Sequence, residues 1–190
     1  MPLGAYMRIL DPCCSSRMWW FDRSNPEAVY GDKRKESHTL CDGRTLVIDP
    51  DLLLDFRALP FAENTFDLVA FDPPHLRHVG ESSWTHAKYG RLGHNWKSDL
   101  SAGFSECFRV LKENGTLVFK WNEYQIPQAE VLPLALPYAP LFGSTYARNS
   151  NTHWYVFAKS APNPACSRPA QLLQLGFDLE YSQSLQVAGG

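Results

Sequence analysis

The stretch Phe66-Asp67-Leu68-Val69-Ala70-Phe71-Asp72-Pro73-Pro74-His75 constrains the chain more than any other. Its first part is an apolar run with β-branched and aromatic members, the signature of a buried strand. That strand must stop at Asp72, because Pro73 and Pro74 cannot donate to a ladder and fix the backbone. The residue ahead of a proline is itself pushed into an extended or turn conformation. A carboxylate and a stiff, carbonyl-rich turn are thus presented at the carboxyl end of a buried strand, the edge at which open α/β sheets bind ligands. Asp72 and the Pro73 carbonyl are both acceptors, and neither proline has an N–H to offer. Such a notch suits a substrate carrying an NH2 group. The same residues can also simply end a strand and start a loop, so the rest of the chain has to choose.

The chain has 190 residues, enough for one domain with a sizeable core. No apolar run approaches the roughly 20 residues of a membrane helix. Met1 to Arg8 lacks the basic-then-apolar layout of a signal peptide, so a cytoplasmic location is expected. Cys13, Cys14, Cys41, Cys107 and Cys166 show neither paired metal spacing nor a disulfide framework, which agrees with a reducing compartment. A net charge of -2 excludes a general polyanion binder. Any contact with nucleic acid must come from a local patch.

Arg8-Ile9-Leu10-Asp11 reads as a short strand ending in an acid. Pro12-Cys13-Cys14-Ser15-Ser16 follows as a run of small residues, and Met18-Trp19-Trp20-Phe21 as the first turns of a helix capped by Ser15 or Ser16. Strand, small-residue turn and helix together bring a backbone close to a nucleotide-like ligand. Glu27 to Asp32 is a second strand. Its Asp32 lies 21 residues after Asp11, placed to accept from ribose hydroxyls. Lys33 to Glu36 reads as a solvated surface turn. Asp42-Gly43 between apolar runs signals a hairpin. Asp55 is a third acid in an apolar setting.

Arg77 to Asn95 is a long polar stretch with Trp84, Tyr89, three histidines and several cations, expected to act as a lid or substrate-contacting loop. Ser98 to Lys112 carries Leu100, Phe104, Phe108 and Leu111 at helical spacing, with Glu113-Asn114-Gly115 as its end. Thr116 to Trp121 is a central strand. Gln128 to Leu136 reads as a helix cut by Pro133 and Pro137. Leu141 to Tyr146 and Trp154 to Lys159 are the last two strands, antiparallel across a turn at Arg148 to Asn151. From Ser160 onward the composition shifts to Pro, Ala, Ser and Gln, expected to be a poorly ordered tail behind a domain of residues 1–159. Strands alternating with helices and closing on an antiparallel hairpin predict an α/β, doubly wound, Rossmann-like sheet.

From Arg8 to Lys159 the order of these elements resembles the class I S-adenosylmethionine-dependent methyltransferases, whose seven-stranded, mostly parallel sheet has one antiparallel strand near the C-terminus. Ile9-Leu10-Asp11-Pro12-Cys13-Cys14-Ser15-Ser16-Arg17 sits where that family has an acid and a glycine-rich turn. Cys13, Ser15 and Arg17 occupy the glycine positions. Asp32 matches the acid on the cofactor ribose, and Asp55-Phe56-Arg57 resembles the segment at the adenine amine. Leu111 to Leu117 resembles the stretch leading into the family's fifth strand. Asp72-Pro73-Pro74-His75 resembles the catalytic signature of amino-methyltransferases acting on DNA and RNA bases, with His75 in place of the usual Tyr, Phe or Trp.

The resemblance implies S-adenosylmethionine as cofactor, held by Asp11, Pro12, Cys13, Cys14, Ser15, Asp32, Asp55 and Phe56. It implies a flipped base at Asp72, Pro73, Pro74 and His75, with Trp84, Tyr89 or Trp121 as stacking partners. The acceptor is then an exocyclic amine of DNA or RNA, adenine N6-type, read by the Arg77–Lys97 loop or by a partner protein. A protein amide, a small-molecule amine, or a degenerate fold used only for binding remain the alternatives. His75, His78, His86 and His94 lack a matching cysteine pair, so no metal is expected.

Overall fold

The computed structural model describes residues 6–144 and 150–160, and its elements fall in one compact unit, Met1–Lys159. The expected tail beyond Ser160 and the first half of the expected Arg148 to Asn151 turn lie outside the described residues.

The strands are β1 (Ile9–Asp11), β2 (Ala28–Asp32), β3 (Glu36–Thr39), β4 (Thr45–Ile48), β5 (Leu52–Leu53), β6 (Phe66–Phe71), β7 (Leu111–Asn122), β8 (Phe142–Gly143) and β9 (Thr152–Ala158). Seven of them form one sheet in the order β5-β2-β1-β6-β7-β9-β8. β5, β2, β1, β6 and β7 pair in parallel, whereas β9 runs antiparallel to both β7 and β8. This is the predicted Rossmann-like sheet with a reversed strand near the C-terminus. β3 and β4 form the hairpin expected at Asp42-Gly43, a separate two-stranded ribbon inserted between β2 and β5. Gly43 supplies the positive φ, +83°, that the turn needs.

The core lies between the sheet and α2 (Trp96–Val110). The stripe Leu100, Phe104 and Phe108 is buried against Phe119 and Phe157 of β7 and β9. Burying a ring of that size stabilises by about 1.5–3 kcal/mol. Gly103 sets how closely α2 approaches: a Cβ there would lie 2.6 Å from the ring of Phe56 and 2.9 Å from that of Phe71. Phe71 is the last residue of β6, so the fit of helix on sheet also fixes where Asp72 emerges. α2 ends two residues earlier than the periodicity predicts, because Leu111 pairs with Phe66 and is already strand. Asn114, at φ +63°, adopts the expected left-handed conformation, but as a turn within the long β7 segment.

The helix expected at Met18 to Phe21 is not formed. The segment between β1 and β2 is a series of turns. Asp11 explains the difference. Its carboxylate accepts from the Cys13 amide (3.2 Å) and from the indole Nε1 atoms of Trp19 (3.2 Å) and Trp20 (2.7 Å). A regular helix cannot bring both neighbouring indoles back onto one acid. The folded segment instead places Trp20 on Ile9, Cys14, Ala28 and Tyr30, so a turn-rich aromatic layer covers the sheet face opposite α2.

Two more segments differ from expectation. Arg77 to Asn95 contains a short helix, α1 (Trp84–Tyr89), capped by Ser83, whose side chain accepts from the Thr85 amide. Gln128 to Leu136 splits into one turn of α-helix, α3 (Gln128–Val131), and a 3-10 turn (Leu132–Ala135) that accommodates Pro133 near its start. No helix among the described residues is long and apolar enough to cross a membrane.

Candidate active site

The carboxyl ends of β1, β2 and β6 converge on a cavity of about 740 Å3, within the size range of ligand pockets. Its wall includes Pro12, Cys13, Cys14 and Ser15 from the turn after β1, Asp32 from the end of β2, and Asp55 and Phe56 beyond β5. The same wall includes Asp72, Pro73, Pro74 and His75 after β6, with Tyr89 from α1. Most residues singled out from the sequence therefore share one cavity.

The turn after β1 is built without glycine, yet two residues in the glycine positions take the glycine-like conformation: Ser15 has φ +47° and Arg17 has φ +55°. For L-residues this costs roughly 1–2 kcal/mol each, so neighbours must hold them there. The Ser15 amide donates to Asp32 Oδ2 (2.9 Å), and its hydroxyl donates to the carbonyl of Lys88 (2.9 Å). Arg17 donates to the carbonyls of Arg23 and Asp49, pairs with Asp51 at 2.8 Å, and lies 3.9 Å above the Tyr30 ring.

Asp11 does not line the cavity. It is fully buried beneath the turn, where burial pushes its carboxyl up to about 7 despite the N–H groups it accepts. It organises the turn from beneath, through the Cys13 amide and the two indoles. The folded value lies above the ordinary carboxylate range, so the proton is held more tightly in the folded state. The stability from this group is complete below pH 3.8 and is lost as pH rises towards 7. Asp11→Ala leaves three N–H groups without an acceptor and is expected to lower stability by about 1–3 kcal/mol. It is also expected to flatten the fall in melting temperature between acid and neutral pH, measured by calorimetry on both proteins.

Asp32 accepts from the Ser15 and Arg34 amides, with the Arg34 guanidinium 3.4 Å away. Arg34 is no solvated turn residue: it lines the cavity and donates to the Ala87 carbonyl of α1 (2.8 Å). It ties α1 to the segment after β2, as Ser15 on Lys88 ties α1 to the turn after β1. Gly90, at φ +69°, ends α1 against Pro74, which would lie 3.3 Å from a Cβ there. Asp55 gives both oxygens to Arg57, which also reaches Asp99, and this pairing holds its carboxyl down at about 2. Asp55 therefore contributes a neutralised ion pair to the rim.

Asp72 meets an unforeseen partner. Lys120 Nζ donates to its Oδ2, and each side chain retains 23% exposure. Asp72 Oδ1 accepts from none of the described residues. Burial raises the Asp72 carboxyl above its ordinary value, and Lys120 opposes that shift. The signal was present in the sequence as a lone lysine in the apolar strand Thr116 to Trp121. Alternation along β7 buries Leu117, Phe119 and Trp121 on one face and turns Lys120 to the other. There it lies 5.6 Å from Trp19 and 5.8 Å from Trp154, whose rings are 5.1 Å apart.

The predicted aromatic contacts divide. His75 stands 5.3 Å from Tyr89, and burial, helped by Lys120, pushes its imidazole down to about 4. It is a neutral ring at physiological pH. Trp121 is not in contact with the cavity: it is 1% exposed, stacks on Phe119, donates to the Ile126 carbonyl, and meets His75 edge-on from behind. Trp84 is half exposed and outside the cavity wall, whereas Trp19, which sequence reasoning assigned to a helix, is part of it. Among the described residues no three His, Cys, Asp or Glu side chains gather as a metal-binding group.

Sheet order, the reversed strand and the cavity at the carboxyl ends together define a class I methyltransferase fold. Solved structures share it. A TehB-like SAM-dependent methyltransferase from Corynebacterium glutamicum matches with a TM-score of 0.52 and 14% identity, over 82% of this chain and 81% of that one. The PH0226 protein of Pyrococcus horikoshii matches with a TM-score of 0.53 and 16% identity, over 84% of each chain. No protein-family model matches the sequence, and no curated protein matches it.

Proposed function

We propose that the chain is an S-adenosylmethionine-dependent methyltransferase whose acceptor is an exocyclic amine of a nucleic-acid base, adenine N6-type. The observation that carries this reading is the meeting of two halves in one cavity. Asp32 and the turn Pro12 to Ser15 line it together with the Asp72–Pro73 notch and the His75 and Tyr89 rings.

The residues present fit the cofactor. Asp32 keeps lone pairs for ribose hydroxyls, the tight turn after β1 allows close backbone approach, and Phe56 offers a ring to the adenine. Asp55, neutralised by Arg57, closes the adenine side. When bound, S-adenosylmethionine supplies a methyl group already activated by a sulfonium. The chain's own task is to hold the amine and manage its charge. An exocyclic amine is a poor nucleophile because its lone pair is delocalised into the ring. Asp72 Oδ1 and the Pro73 carbonyl accept its two N–H groups, which localises the lone pair and stabilises developing positive charge. The rigid Pro73-Pro74 pair fixes the acceptors in advance. His75 and Tyr89 hold the base by stacking, worth roughly 1–3 kcal/mol per base. His75, being neutral, adds no repulsion as the amine becomes positive.

Tritiated S-adenosylmethionine, offered with single-stranded DNA, duplex DNA, RNA, protein extract or small amines, tests the reading. Label in DNA or RNA, located on a base amine by nucleoside mass spectrometry, is the expected result. Label only in protein or small amines assigns the notch to a different acceptor. Absence of cofactor binding by calorimetry rejects the enzyme altogether.

A further inference from the structure

Beside the catalytic cavity lies a second one of about 360 Å3, and the two share Arg91, Leu92 and Gly93 as a common wall. Its other lining residues are Arg77, His78, Val79 and His94, with no acid among them. In a chain of net charge -2 this is a local concentration of cations. Glu81, exposed, is the carboxylate nearest Arg91, at 3.7 Å.

The cleft is held in shape. The Leu92 amide donates to the Leu76 carbonyl (2.8 Å), joining its two walls, and both leucines are buried. Arg77 and Arg91 each flank one of those anchors in sequence. Behind them, Gln125 Oε1 accepts from the Arg77 and His78 amides (2.7 and 2.9 Å), and its Nε2 donates to the His78 carbonyl (2.9 Å). The cations therefore project from a braced backbone. Arg77 also follows His75 by two residues, so the cleft begins where the proposed base-holding wall ends.

We infer that this cleft binds the phosphodiester next to the target nucleotide, with Arg77 and Arg91 as its charged contacts and single-stranded nucleic acid as the ligand. The inference rests on the proposed function and makes it more specific: one cavity takes the base, and its neighbour takes the adjoining phosphate. A planar guanidinium fork matches phosphate oxygens. Each phosphate neutralised on a single strand contributes about 0.7 to the slope of log K against log salt. A cleft holding one or two phosphates gives this otherwise acidic chain its strand affinity.

The test is fluorescence anisotropy of a labelled single-stranded oligonucleotide, titrated with the full chain at salt concentrations from about 50 to 200 mM. Wild type is compared with the double variant Arg77→Gln/Arg91→Gln. The double variant is expected to bind about tenfold more weakly at the lowest salt, with a slope smaller by about 0.7–1.4. Its melting temperature is expected to be unchanged. Equal affinity and slope in wild type and double variant overturn the inference, as does failure of wild type to bind the strand. Full displacement of the strand by inorganic phosphate at constant ionic strength overturns it in favour of a free-phosphate site. Methylation assays on the same proteins separate the two levels. Methylated bases without any effect of the double variant leave the proposed function standing and remove the cleft. Strand binding through the cleft without base methylation does the reverse.

Discussion

Asp72→Ala is expected to lower methyl transfer by about 100- to 1000-fold, the size of effect seen when one preorganised charge-stabilising group is removed. Cofactor affinity is expected to change little, because the contacts proposed for the cofactor come from the turn after β1 and from Asp32, which share the cavity wall. Asp72→Asn separates two roles. The amide loses the negative charge and keeps one acceptor oxygen, which Lys120, able only to donate, claims, so its NH2 is turned to the substrate's own N–H groups. That variant is expected to be as impaired as the alanine one at every pH. Single-turnover rates with tritiated cofactor, alongside calorimetry of cofactor binding, check both. A variant with weakened cofactor binding and an undiminished rate constant at saturation would place Asp72 on the wrong half of the cavity.

Lys120→Met carries the second large effect. It removes the ammonium that donates to Asp72 and leaves a mostly buried carboxylate without its counter-charge. Losing one partner of a fully buried pair costs about 3–5 kcal/mol, and the cost is smaller here because both side chains keep some water. The sign of the pH effect follows from the causes of the shift. Burial already raises the Asp72 carboxyl, and Lys120 is the group holding it down. Without the lysine the value climbs, so the acid limb of the rate moves to higher pH. Each unit of climb beyond the assay pH removes about tenfold of the ionised form. The raised folded value also means that stability from this group is lost as pH rises, and Lys120→Met deepens that loss. Lys120→Arg, which keeps the charge, is expected to restore the limb. A rate profile of each variant from acid to alkaline pH, with parallel melting curves, checks these expectations. His75 lies far below its ordinary range, so no limb near 6.5 is expected in wild type.

The sheet was legible because its strands are short, apolar and punctuated by acids and turns. The run Phe66 to Phe71, the pair Asp42-Gly43 and the α2 stripe each name one element by local pattern alone. What could not be read was set by contacts between residues distant in sequence. Met18 to Phe21 has helical composition, but Asp11 claims two consecutive indoles and breaks the helix into turns. Trp121 and Trp84 looked equivalent as aromatics. Strand alternation buries the first beneath His75, and the short α1 leaves the second outside the cavity. Lys120 stood in plain sight, and only parallel pairing of β6 and β7 shows that it reaches Asp72. Arg34 gave no sequence signal beyond following Asp32 by two residues, because its role depends on α1 folding over the cavity.

A crystal structure with S-adenosylmethionine is the most direct measurement of whether these two halves work together. The predicted result has the ribose hydroxyls on Asp32 and the sulfonium methyl directed into the notch between the Asp72 carboxylate and the Pro73 carbonyl. A cofactor bound elsewhere on the sheet, or one whose methyl points away from that notch, would contradict it.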